Sequence, residues 1–285
     1  MKDKLKPYIL LSPVLLIIAL VFLSGIIMAI VQSFGYFRVA GLNEFTLRYY
    51  REVLGSDSFL SSLSFSLYTS LVSSIVAVIF GVLLANTIAK YKNGNNVIKY
   101  LYGIPIIVPH IVSVLLVYNI LSNTGVLPRI LYGIGIINSA SEFPSLLYDE
   151  NGIGIIITYL WKEIPFVAFT TYTVLARISD EFLEVASDLG ATNKQAFFHV
   201  TLPLLMPSIL SSFIIIFAFS FGAYEVPLLL GPTKPKALAV QAFIEYSNPV
   251  LENRPYAMVI NVIITFISFI LASIYYRLFQ KIHKY

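Results

Sequence analysis

Apolar residues in this chain come in long unbroken runs. They show neither the alternation of a half-buried strand nor the one-sided stripe of a soluble helix. Residues 8–30 alone are apolar for longer than a core helix of a soluble protein needs. A hydrocarbon core about 30 Å thick takes about 20 helical residues. Six stretches are long enough to cross it: 8–34, 63–89, 101–122, 152–176, 204–230 and 256–279. The first follows Lys2, Lys4 and Lys6, as in a signal peptide. Its apolar run outlasts the about 7–15 residues of a signal-peptide core, so it reads as a retained first helix.

Prolines and glycines punctuate these spans: Pro105 and Pro109 in the third, Pro165 in the fourth, and Pro207, Gly222 and Pro227 in the fifth. Proline removes a helical hydrogen bond, and a membrane tolerates the loss only where neighbouring helices or a wet cavity satisfy the freed carbonyl. The pattern predicts a packed bundle with an internal path. For Pro105 and Pro227 simple helix termination is an equal reading.

Composition removes the soluble classes. Lys and Arg number 19 and Asp and Glu 15, so charged residues make up 12%, against roughly 25% in soluble domains. Hydrophobic residues are 58% and mean hydropathy is +0.82. The net charge of +4 comes without any run of five basic residues, which excludes nucleic acid as a partner. With no cysteine, and with His110, His199 and His283 far apart in sequence, neither thiolate chemistry nor a metal site is predicted.

Basic residues in short loops stay preferentially on the cytoplasmic side. A cytoplasmic amino terminus places Lys2, Lys4, Lys6, Lys90, Lys92, Lys99, Arg177, Lys194, Arg277, Lys281 and Lys284 inside. It leaves Arg38, Arg48, Arg51, Arg129, Lys234, Lys236 and Arg254 outside. Both termini and the loops 90–100 and 177–203 are then cytoplasmic.

The loop 177–203 carries the most specific signal. Phe182, Leu183, Ala186 and Leu189 fall close to helical spacing, Ser179 or Asp180 caps the start, and Gly190 stops the helix. A second short helix is predicted from Asn193 to Phe198 before Pro203 opens the fifth span. Asp180, Glu181, Glu184 and Asp188 make the first helix acidic, whereas helices that lie on anionic lipid are rich in Lys and Arg. A protein groove is the better fit, with Gly190 allowing the positive φ of a tight turn.

These residues resemble the cytoplasmic signature of the integral membrane permease subunits of binding-protein-dependent ABC importers: E-A-A, three residues, G, nine residues, I, one residue, L-P. Here Glu184, Val185 and Ala186, then Gly190, then Val200, Leu202 and Pro203 keep every spacing, with Val185 and Val200 as conservative departures. The resemblance extends over nearly the whole chain, including 161–166 and 204–207. It implies an all-α membrane fold, one transmembrane permease domain over 1–285, with a coupling helix between helices 4 and 5. That helix, roughly 180–189, would dock in a cytoplasmic ATP-binding dimer, with Glu184, Ala186, Asp188, Gly190, Leu202 and Pro203 forming the ATPase-coupling element. The resemblance also implies a second, related permease subunit, an extracellular solute-binding protein, and the bacterial cytoplasmic membrane as location. ATP and Mg²⁺ would be held by the partner; no G-x-x-x-x-G-K-[ST] loop occurs in this sequence.

Inside the membrane the chemistry rests on few residues. Lys162 and Glu163 lie near the middle of the fourth span, where an unpaired charge costs roughly 2.5–3.5 kcal/mol on insertion scales. Adjacent helical positions diverge by about 100°, so each is expected to find its partner elsewhere. An ion pair is favoured over direct substrate contact. Tyr224 and Glu225, between Gly222 and Pro227, are candidates for the substrate pathway with Lys162 and Glu163; the alternatives for Glu225 are pairing with a partner such as Lys162 or a place near the outer interface. His110 is either a pathway residue or a satisfied interior histidine.

Residues 221–231 and 232–240 are similar to the polyamine, iron, phosphonate and sulfate branch of these permeases more than to the sugar branch. A polyamine is the expected substrate, with phosphonate, iron, sulfate or sugar as alternatives. Glu225 suits an organic cation and Lys162 an anion. A channel or secondary transporter would also have six kinked spans, yet neither predicts the acidic loop; a membrane-embedded enzyme lacks a constellation to support it.

Overall fold

The computed structural model describes residues 2–90, 103–177 and 180–282. Ser179, Lys92, Lys99, Lys284, and the first two residues expected in the third span, lie outside the described residues. Every element is helical: α1 (Lys2–Ser33), α2 (Arg48–Leu54), α3 (Asp57–Lys90), α4 (Ile104–Ile107), α5 (His110–Leu121), α6 (Val126–Gly133), α7 (Ile153–Leu175), α8 (Asp180–Asp188), α9 (Asn193–Ala196), α10 (Leu202–Gly222), α11 (Glu225–Leu230), α12 (Leu238–Tyr246) and α13 (Arg254–Ile282), with short 3₁₀ and π turns between some of them. Six helical segments among the described residues are long and apolar enough to cross a membrane. The protein is a multi-pass membrane protein.

Two spans differ from their expected form. The third is broken at Val108, whose extended backbone separates α4 from α5. Pro109 cannot donate the next helical hydrogen bond, so termination outweighs a mere kink. The fifth, expected as one helix over 204–230, stops at Gly222 and resumes at Glu225 after an extended Ala223. Pro165 and Pro207, by contrast, sit inside continuous helices.

The chain divides into two compact units, Met1–Leu60 with Gln241–Phe266, and Ser61–Val240 with Ile267–Tyr285. In the first unit, α1 exposes its apolar side chains from Leu10 to Met28 almost without exception, as a helix surrounded by lipid or partner requires. Beyond it, polar and aromatic contacts tie the following segment together. Ser33 and Tyr50 share a hydrogen bond of 2.8 Å, Tyr49 meets Tyr256 edge-on at 4.9 Å, and Arg254 lies 4.0 Å over the Tyr246 ring. Glu52 accepts from the Tyr256 hydroxyl and, at 2.7 Å, from Arg48. These two donors hold its carboxyl below the usual carboxylate range.

The second unit packs around two apolar clusters. One joins Phe65, Val114, Val117, Ile155, Tyr159, Val226 and Leu230 among others; the other joins Ala77, Val82, Val167, Leu205, Ile209 and Ile216. Along α7 they are contributed by Tyr159 and Val167, and the charged pair 162–163 falls between them in sequence. Lipid supplies no hydrophobic drive between helices, so close approach and Ser/Thr bonds hold them. Thr170 and Ser212 bond at 2.7 Å across α7 and α10, and the Ser208 hydroxyl donates to the Thr170 carbonyl at 3.2 Å. Gly81 of α3 has room for no side chain, since a Cβ there would stand 2.6 Å from the Val167 Cβ. Gly81→Leu is therefore expected to push α3 off α7 and cost about 1–3 kcal/mol. Thermal unfolding of the detergent-purified chain should fall for Gly81→Leu and stay level for Gly133→Ala, where a Cβ meets nothing within 4 Å; equal transitions for both would refute the close contact.

Candidate functional site

Lys162 and Glu163 are 8% and 4% exposed, and they do not pair with each other. Adjacent positions on α7 aim them at different neighbours. Lys162 Nζ donates to the Pro105 carbonyl at 3.0 Å and also to the Val108 carbonyl. Pro109 explains why these acceptors are free: in a helix the residue four places on would supply the N–H for Pro105, and proline has none. The ammonium fills that place and sits at the carboxyl end of α4, where a cation is favoured by the exposed carbonyl dipoles. The expected ion pair between Lys162 and another charge, Glu225 included, is thus replaced by two backbone carbonyls.

Glu163 turns toward α10. One carboxylate oxygen accepts from the Ser220 hydroxyl at 2.9 Å, and Ser73 of α3 neighbours the group. The other oxygen is buried without a hydrogen-bond partner. The Tyr159 hydroxyl, one turn earlier on α7, donates to the Ser220 carbonyl at 3.3 Å, which fixes α10 at this level.

Lys162 and Glu163 line a cavity of about 210 Å³ together with Ile106, His110, Phe166 and Phe219. The half-buried His110 opens α5 directly after Pro109 and packs its ring 4.6 Å from that of Phe219. The structure thereby brings together three residues scattered through the third and fourth spans. Tyr224 and Glu225 are not in its lining; both are exposed, at the start of α11. Glu225 is close enough to act electrostatically on His110.

The loop after the fourth span forms the second site. α8 ends in a Schellman turn: the Ala191 amide donates to the Ala186 carbonyl and the Gly190 amide to that of Ser187, both at 2.9 Å, with Gly190 at φ +82°. Thr192 and Gln195 then cap α9 reciprocally. A π turn, Phe197–Thr201, joins α9 to α10, in place of a helix running to Phe198. Ala186 is buried, while Phe182, Val185 and Leu189 are 56%, 58% and 84% exposed. Glu184 and Asp188 are exposed beside them, so α8 presents an apolar and acidic face that nothing in the chain covers among the described residues.

Residues 66–283 match the family of binding-protein-dependent transport system inner membrane components. The chain belongs to that family. Among curated relatives, the spermidine/putrescine transport system permease protein PotB of Haemophilus influenzae is 26% identical over 76% of this chain and 72% of its own length. The Escherichia coli PotB is 22% identical over 84% and 85%. The sulfate transport system permease protein CysT of Salmonella typhimurium is 26% identical over 67% and 66%. Among solved structures, a bacterial ABC transporter that imports the acidic polysaccharide alginate superposes with a TM-score of 0.78 at 18% identity, covering 98% of each chain. That last likeness establishes the fold.

Of the family's signature residues, spaced as the sequence shows, Glu184 and Gly190 lie exposed at the α8 corner, Ala186 is buried on α8, and Leu202 and Pro203 open α10. The Lys162 bond to α4 had no such spacing to announce it; the hint was an intramembrane lysine in a chain with prolines four residues apart at 105 and 109. Lys162→Met should leave the Pro105 and Val108 carbonyls unpaired in an apolar interior, a loss of about 1–3 kcal/mol. Because the chain has no cysteine, Ile107→Cys can report on α4 by thiol labelling. Labelling is expected to accelerate, and the melting temperature to fall, in the Lys162→Met background. Unchanged labelling and melting would show that the bonds hold nothing.

Proposed function

We propose that the chain is the permease subunit of an ATP-driven importer, forming the path for a small solute handed over by an extracellular binding protein. Its loop 177–203 is the docking element for a cytoplasmic ATP-binding dimer, which holds the ATP and Mg²⁺. Both termini face the cytoplasm, and a second, related permease completes the path across the bacterial cytoplasmic membrane. What carries the reading is the α8 turn: a family motif whose Phe182, Val185 and Leu189 stand exposed on a rigid Schellman corner. Exposed apolar side chains flanked by acids suit a protein groove better than a lipid surface. A related crystal structure titled as an alginate transporter with a periplasmic protein bound supports the binding-protein partner.

The substrate is a polyamine of the spermidine or putrescine kind. The PotB relatives support it, while the sulfate relative makes sulfate the second reading.

Gly190→Asp decides the docking role. A Cβ at Gly190 meets nothing within 4 Å, and Asp is among the side chains that tolerate a left-handed backbone, so the corner itself should survive. Combined with Glu184→Ala, it is expected to remove the ATP-binding subunit from the tagged chain when native membranes are solubilised, while membrane insertion persists. Recovery of that subunit with the double variant, or its absence from the wild type, would refute the proposal. Uptake of labelled spermidine against labelled sulfate by the intact importer separates the two substrates.

A further inference from the structure

We infer that the cavity between α4, α5, α7 and α10 is an alkylammonium-binding subsite within the membrane, with Glu163 as its anion and the rings of Phe166 and Phe219 as its walls. The inference rests on the importer reading above and names the place where the path itself recognises its cargo. Charge is the first reason. Of the two charged residues on the wall, Lys162 directs two of its three N–H donors to the Pro105 and Val108 carbonyls. Glu163 forms no ion pair among the described residues, and one of its oxygens is buried without a hydrogen-bond partner. A carboxylate 4% exposed in a membrane span is stabilised most by an ammonium that brings both opposite charge and N–H donors.

Shape is the second reason. Apart from Lys162, Glu163 and His110, the lining is aliphatic or aromatic: Ile106, Phe166, Phe219 and two isoleucines of α10. Methylenes pack against such a wall, and an ammonium gains further from a neighbouring ring face. The volume of about 210 Å³ lies below the roughly 300–1,000 Å³ of pockets for drug-sized ligands, which suits a short amine rather than an oligosaccharide.

Geometry is the third. Ser220 holds one Glu163 oxygen, and the terminal torsion of a glutamate is soft. The carboxylate can therefore turn its second oxygen to an arriving ammonium while keeping one bond to α10. Glu163 and Ser220 then join α7, α10 and the cargo in one network.

The test is binding of labelled putrescine to the detergent-purified importer complex without its solute-binding protein. Wild type is expected to bind, with n-butylammonium competing and 1-butanol failing to compete. Glu163→Gln keeps the shape and an acceptor for Ser220 but removes the charge; it should weaken binding at least about tenfold, equivalent to about 1.4 kcal/mol. Glu163→Asp, which restores the charge, should bind more tightly than Gln. A second variant, Ile215→Trp, fills the cavity from a residue that is 55% exposed and lies outside both apolar clusters, and should abolish binding even if Glu163→Gln fails to assemble. Competition by 1-butanol, equal binding by Gln and wild type, or binding that survives Ile215→Trp overturns the subsite. So does a wild type that binds no putrescine, and uptake by the complete importer in vesicles then judges the polyamine reading separately: putrescine entering shows that only the subsite was wrong, and sulfate entering alone shows that the substrate was.

Discussion

A backbone carbonyl inside a bilayer has no water to turn to, so each helix break there must be satisfied by the protein itself. Pro109 creates such a break between α4 and α5, and the Lys162 ammonium closes it through Pro105 and Val108. Much of the intramembrane chemistry follows from that one assignment. It ties α7 to α4, turns the Lys162 ammonium to backbone carbonyls rather than to Glu163, and leaves one Glu163 oxygen beside the cavity buried without a hydrogen-bond partner.

Small polar side chains also set how closely the helices of the second unit approach one another. Its two apolar clusters are contributed on α7 by residues on either side of 162–163, and the contacts across α7 and α10 at Thr170, Ser208 and Ser212 are hydrogen bonds of small side chains. Such interfaces hold helices close without interlocking large side chains. α10 is continuous over 21 residues, about 30 Å at the helical rise. It begins at Leu202 and Pro203, the end of the family signature, and reaches Phe219 and Ser220 at the cavity. The helix that follows the loop thus carries Ser220, the residue whose hydroxyl bonds Glu163.

Family and substrate stand at different depths in the molecule. Membership rests on the family match over residues 66–283, and the helical fold is kept at 18% identity over 98% of each chain. Cargo preference depends on one or two side chains facing a cavity, and relatives named for spermidine/putrescine and for sulfate are both 26% identical to this chain. Overall similarity cannot weigh Glu163 against Lys162; their hydrogen bonds can.

Six spans, the short helices of the loop and the left-handed Gly190 were legible because each is a local property: a run of apolar residues as long as the bilayer is thick, an amphipathic repeat, and a residue able to take φ > 0. The loop was the more readable for lying between two unmistakable spans. The third and fifth spans were read as continuous because a proline in a sequence marks a weak point without saying whether neighbours will rescue the helix. At Pro165 and Pro207 the helix continues; at Pro109 it ends. The partners of the buried charges lay further out of reach. Lys162 bonds carbonyls 57 and 54 positions away, and Glu163 a serine 57 positions away, and no periodicity encodes such pairs. Sequence by itself determined that this chain has six stretches able to span a membrane and a turn at Gly190 between the fourth and fifth, since hydrophobic length and turn chemistry act between near neighbours. Tertiary structure alone decided which partners the intramembrane charges have, because that depends on which distant group each side chain meets when the helices pack.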